Sequence, residues 1–179
     1  MRLLSIQPIY SSIFHFCMSK STDLDLNSAK DTISIALIRE ALSVAASRGL
    51  DILHIANQVG VSVELLSSTK ARVPVMQCAR LWIELAEHMN DEFLGMDRHP
   101  MRRGSYSLLA KLAFSAETLE QAIQEILKFL SLVLDDIQGE LIQQGAKAYL
   151  ILHDREHPKR MFTYSTYLML VHSLMCWLS

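Results

Sequence analysis

A chain of 179 residues, half of them apolar and a fifth charged, is large enough for one domain with a core of its own. Its formal net charge of −2 excludes the broad basic surface that sequence-independent nucleic-acid binding needs. Cys17, Cys78 and Cys176 are odd in number and unclustered, which fits thiols in a reducing compartment and predicts a cytoplasmic protein.

Residues 1–31 read as an arm outside the domain. Arg2 precedes an apolar run, but Pro8 interrupts it, and His15 and Phe16 stand where a cleavage site needs small residues, so no secretory signal is read. Met18 opens the polar stretch SKSTDLDLNSAKD. The arm is predicted to be disordered, or to reflect a start assigned too far upstream, and the domain to occupy residues 32–179.

From Thr32 the period is helical. Ile33, Leu37, Ala41 and Val44, with Ile38, Leu42 and Ala45 beside them, give one apolar face, and Gly49 supplies the left-handed residue that ends it. Ile52, Ile55, Ala56 and Val59 make a short helix closed by Gly60, and Ser62 can cap another over Val63–Ser67. Pro74 suits a first helical turn; after it Val75, Ala79, Trp82, Ile83, Ala86 and Met89 line a fourth helix up to a turn at Asn90 and Asp91. Gly104 and Ser105 open a helix through Leu108, Leu109, Leu112 and Ala113. Thr118, with Gln121 three residues on, signals a capping box before the stripe Leu119, Ala122, Ile123, Ile126, Leu130 and Val133.

At Asp135 and Asp136, read as terminating that helix, the period changes to two. Ile137, Leu141 and Ile142, then QQG, then Ala148 to Leu152 predict a hairpin, the one strand pair the sequence offers. Met161–Leu178 is nearly apolar and close to the length of a membrane span, yet it holds Thr163, Ser165, Thr166, His172 and Ser173, and no cationic anchor follows. Tyr164, Leu168, Val171, Met175 and Leu178 recur at helical spacing, so a buried helix with that stripe toward the core is predicted, and no membrane partner. The expected fold class is α+β and mainly helical, with about six helices, one β-hairpin and a C-terminal apolar helix packed on it. A lone hairpin with open edges beside an apolar end further predicts an incomplete domain, or one covered by a partner.

Four segments carry candidate chemistry. Arg98, His99, Arg102 and Arg103 form a basic cluster beside Tyr106, and Gly104 and Ser105 would aim a helix N-terminus at an anion. A carboxylate or amino-acid-like ligand would meet Arg102, Arg103 and Tyr106 first; a solvated charged loop is the plainer alternative. Residues 52–67, ILHIANQVGVSVELLS, have the Ala56, Gly60 and Val61 spacing of a helix-turn-helix. The second helix, however, offers Val63, Glu64, Leu65 and Leu66 to DNA, and a packed helical corner is the better reading. Met76, Trp82, Met89, Met96 and Phe129 either line an apolar effector pocket or fill a core. His153 and His157 lie four apart but follow a strand and meet Pro158, so no metal is expected there. No GxSxG elbow, phosphate-binding glycine loop or HExxH is present, so neither a cofactor nor an enzyme is expected.

The segments ISIALIREALSVAASRGLD, RVPVMQCARLWIELAEHMNDEFLGM, PMRRGSYSLLAKLAFSAETLEQAI, FLSLVLDDIQGEL and YLMLVHSLMCWL follow one another over residues 33–179. In that order the chain resembles the N-terminal effector-sensing domain of AraC/XylS-type transcription regulators, in the arabinose-binding-like class of ornithine- and arginine-responsive members. The resemblance implies a cytoplasmic bacterial regulator whose state is shifted by a small-molecule effector, amino-acid-like or another carboxylate, with a homodimer among its partners. Such regulators continue with more of the sensor and a basic domain of two helix-turn-helix units. DNA would be reached only through that domain, which this chain lacks, so the expectation is a sensor truncated at its C-terminus. A small DNA-binding protein using residues 52–67, or a non-functional gene fragment, are the alternatives.

Overall fold

The computed structural model describes residues 32–178. The expected N-terminal arm, with Cys17 and Met18, lies outside the described residues. In chain order the elements are β1 (Thr32–Ser34), α1 (Ile35–Ser47), α2 (Ile52–Gln58), α3 (Val63–Ser67), β2 (Arg72–Pro74), α4 (Val75–Met89), α5 (Ser105–Phe114), α6 (Leu119–Val133), β3 (Ile137–Gln144), β4 (Lys147–Asp154) and α7 (Met161–Leu178). The fold is α+β and mainly helical, with seven helices among the described residues.

Thr32 to Ser34, assigned to the first helix by their period, form a strand instead. β1 pairs antiparallel with β2, Ile33 opposite Val73 and Thr32 opposite Pro74. The β-branched side chains of Thr32, Ile33 and Val73 favour extended backbone. Ser34 then starts α1 by accepting a hydrogen bond from the Ala36 amide at 3.3 Å. The hairpin expected to be the one strand pair is therefore one of two among the described residues.

That hairpin, β3 with β4, turns through Gly145 and Ala146, with Gln144 opposite Lys147. Gly145 takes φ +61°, the left-handed conformation that a two-residue hairpin turn requires. Leu141, Leu150 and Leu152 turn inward onto the core that α6 shares with the hairpin. At the start of α6, Thr118 Oγ1 accepts from the Gln121 amide at 3.1 Å, but Gln121 Oε1 reaches back to the Glu117 amide, also at 3.1 Å. The capping box is thus displaced by one residue. Ala122, Ile123, Ile126, Leu127 and Leu130 are the buried stripe of α6, whereas Leu119 is exposed.

Two apolar cores result. α1 to α4 enclose one, built on Ile38, Leu42, Ile55, Val61, Leu81 and Leu85. α5, α6 and the hairpin enclose another, built on Phe93, Met101, Leu109, Ile126, Leu130 and Ile137. α7 belongs to both: Phe162 and Met169 complete the first core, Tyr167, Leu170, Val171 and Leu174 the second. The stripe expected to face the core does so only in part. Of Tyr164, Leu168, Val171, Met175 and Leu178, Val171 is buried, while Tyr164, Met175 and Leu178 pack half-buried against the second core. The buried rows are Phe162, Thr166, Met169 and Ser173 on one side and Thr163, Tyr167, Leu170 and Leu174 on the other. A helix apolar around its circumference has no single stripe to read. No helix among the described residues is long and apolar enough to cross a membrane.

Candidate functional site

The two cores are joined by α7 and by the loop of residues 90–104, which runs from α4 to α5. Three buried carboxylates shape that loop. Asp91 accepts backbone N–H groups of Phe93 (2.9 Å), Gly95 (2.8 Å) and Met101 (2.9 Å), closing the loop on itself. Burial pushes its carboxyl above the ordinary aspartate value, against those three donors and the nearby Arg48 charge. Asp97 accepts the amides of His99 (2.9 Å), Asp135 (2.9 Å) and Asp136 (2.8 Å), and so pins the loop to the α6–β3 junction.

Asp136 binds in the opposite direction. It takes Arg98 Nε at 2.6 Å and Lys159 Nζ at 2.9 Å, and Arg98 also reaches Glu156 at 2.9 Å. Burial opposes ionisation of Asp136, but Lys159 and Arg98 outweigh it and hold the carboxyl below the usual range. From the first core, Arg48 donates to the carbonyls of Gly95 (2.6 Å) and Asp97 (3.1 Å). The loop is thereby a strap between the two halves. Sequence reasoning read Asn90 and Asp91 as a turn, and Asp135 and Asp136 as a helix stop. It missed that three aspartates on either side would interlock; only their position just before or after a turn hinted at it.

The basic cluster expected beside Tyr106 is not assembled as one. Arg98 is turned to Asp136 and Glu156, while Arg103 pairs with Glu87 at 3.1 Å on the surface. Arg102 is exposed. The N-terminus of α5, expected to face an external anion, already holds one from the protein. Glu92 accepts the Gly104 amide at 2.9 Å and the Tyr106 amide at 2.7 Å. Tyr106 is buried with its hydroxyl on Ser173 of α7, whose own hydroxyl donates to the Leu170 carbonyl at 3.0 Å. Arg102, Arg103 and Tyr106 therefore do not converge on a common space.

The corner at residues 52–67 packs Ile55, Ala56, Val59 and Val61 into the first core. Its second helix, α3, has five residues, and Arg39 of α1 bonds the carbonyls of Leu66 and Ser68 at its end. His153 is engaged by Glu140 across the hairpin at 2.8 Å. Of the apolar pocket candidates, Trp82 and Met89 belong with the first core and Phe129 with the second, while Met96 touches both.

Where the first core meets α7, the Trp82 and Phe162 rings meet edge to face, centroids 5.8 Å apart and planes at 66°. Trp82 is 8% exposed, yet its indole Nε1–H has no acceptor among the described residues. Buried donors are nearly always paired, so this one marks a place where the interior is incomplete in hydrogen-bonding terms. At this seam the first core meets α7, the helix that also serves the second core.

The chain matches a known family model over most of its length. The model of the arabinose-binding domain of AraC transcription regulator, N-term, fits residues 49–179. No curated protein and no solved structure matches the chain.

Proposed function

From the premise that this chain belongs to the family of the arabinose-binding domain of AraC transcription regulators, we propose that it senses a small-molecule effector and passes its presence to a transcription regulator's output. The observation that carries this reading is the extent of the match, from the end of α1 through α7. The geometry supplies a means. A molecule that binds better to one arrangement of the two cores than to another shifts the population between them, and its leverage equals that difference in affinity. α7 and the 90–104 strap are the parts both arrangements must share.

In this reading the protein binds and does not catalyse, acts in the cytoplasm, and reaches DNA through a separate domain of the regulator. A homodimer belongs to the same proposal. An amino-acid-like or other carboxylate effector, in the manner of the ornithine- and arginine-responsive class, would need a cation to meet it. Arg102 is the exposed arginine of the 98–103 cluster for which no anionic partner is found among the described residues.

The test is a thermal-unfolding panel on the purified chain with L-arabinose, L-arginine, L-ornithine and small neutral compounds, followed by calorimetry on whichever raises Tm. A true effector stabilises saturably, by about 2.7 kcal/mol at a hundred times its Kd. If none of these classes binds while gel shifts show DNA retention with a steep salt dependence, the helix-turn-helix reading of residues 52–67 replaces this one.

A further inference from the structure

We infer that the seam between α4 and α7 is a closed effector crevice, and that its ligand is a small, neutral, mainly apolar molecule whose single acceptor oxygen takes the hydrogen bond of Trp82 Nε1. The inference rests on the sensing role proposed above and names the site and ligand class within it. Three observations carry it.

The first is the unpartnered indole N–H itself, buried against α7 beside Phe162. A donor enclosed without an acceptor is a standing cost, and a ligand oxygen that reaches it removes the cost. Second, the row that α7 turns to this core, Phe162, Thr166 and Met169, is apolar apart from one hydroxyl, and that hydroxyl is already spent on the Phe162 carbonyl at 3.0 Å. One acceptor, not several, is what the seam asks for.

The third is the absence of charge on this side. The buried charged groups among the described residues are Asp91, Asp97 and Asp136, all acidic and all committed to the strap or to Arg98 and Lys159. A carboxylate entering the seam would find no buried counter-charge, since Arg160 just before α7 is exposed and already paired with Glu40, and burying the carboxylate unpaired is prohibitive. Ketones, esters and similar neutral molecules meet no such barrier. Since solvent does not reach Nε1, the ligand must part α4 from α7 to enter. It therefore binds the parted arrangement and not the closed one, which is the differential affinity a sensor requires.

The chain has two tryptophans, so Trp177→Phe leaves Trp82 as the sole indole, and its N–H gives one resonance in a proton–nitrogen spectrum. The variant is titrated with cyclohexanone, small cyclic esters and cyclohexanecarboxylate. The expected result is a saturable downfield shift of the Trp82 resonance and a raised Tm with the neutral acceptors, and neither with the carboxylate. Trp82→Phe keeps the ring and removes the donor; in the otherwise native chain it should weaken binding by about tenfold, the size of one neutral hydrogen bond. Three outcomes overturn the inference: an unmoved Trp82 resonance with every neutral acceptor, tighter binding of the carboxylate, or equal affinity in Trp82→Phe. Should a charged or sugar effector raise Tm while the Trp82 resonance stays still, sensing stands and the seam is wrong. Silence from every compound class fails both.

Discussion

α7 comes close to the hairpin backbone where Tyr167 faces Gly139. A methyl group on Gly139 would lie 2.7 Å from both the Tyr167 hydroxyl and a methyl of Leu127, closer than atoms can sit. Gly139→Ala should cost about 1–3 kcal/mol in urea unfolding, the usual range for overfilling a packed interior. Tyr167→Phe removes one of the two obstructing atoms, so the double variant should lose less than Gly139→Ala alone; an equal or larger loss would show that Leu127 sets the limit. Burial also pushes the Tyr167 phenol well above its ordinary value, with the Gly139 backbone pulling weakly the other way. The folded state thus holds this proton more tightly than the unfolded chain does. Stability from this group is full below the ordinary tyrosine value of about 10 and declines above it. In Tyr167→Phe, denaturation followed at rising alkaline pH should show a shallower loss.

Among the elements, the 90–104 strap is held by side-chain acceptors where a helix or strand would use its own backbone. Asp97→Ala leaves the amides of His99, Asp135 and Asp136 without this acceptor, the last of them buried, and should destabilise by roughly 1–3 kcal/mol. Asp97→Asn keeps the shape but turns an N–H toward at least one of those amides, so rescue should be slight. Asp136 adds an acid-side signature. Its carboxyl is held below 3.8, so its contribution is complete above that value and lost as pH falls through the folded one. Asp136→Asn should be weaker at neutral pH and flatter between about pH 4 and 2, read from urea midpoints. How much of this was legible in the sequence depends on range. Some helix starts were readable because a cap is local: Ser62 and Thr118 each bond an amide three residues on. The β1–β2 pair was not, since Thr32 and Arg72 are forty residues apart and the period of Ile33 fits either structure. Nor was the fate of the basic cluster. Arg98, Arg102 and Arg103 sit together in the chain, but Asp136 and Glu156, which hold Arg98, and Glu87, which holds Arg103, do not, so adjacency suggested a site that folding disperses.

For the molecule as a whole, two cores share one helix, and this governs how it comes apart. Arg48 crosses from the first half to the strap, and Arg48→Met should cost about 1.5–3 kcal/mol by removing its charge-assisted bonds to the Gly95 and Asp97 carbonyls. Unfolding should nonetheless be a single transition in both proteins, with Trp82 and Trp177 emission changing together in single-tryptophan variants. Separate midpoints would mean that the halves are independent. The two-sided burial of α7 also bears on how the chain acquires its structure at the ribosome. Phe162 and Met169 complete a core whose other members lie before Met96 in the chain, and synthesis proceeds at about 5–20 residues per second. The first half therefore waits several seconds, with Trp82 uncovered, for a helix made long after it. During that interval its apolar surface is available to chaperones and to neighbouring nascent chains, and the yield of native protein depends on what arrives first.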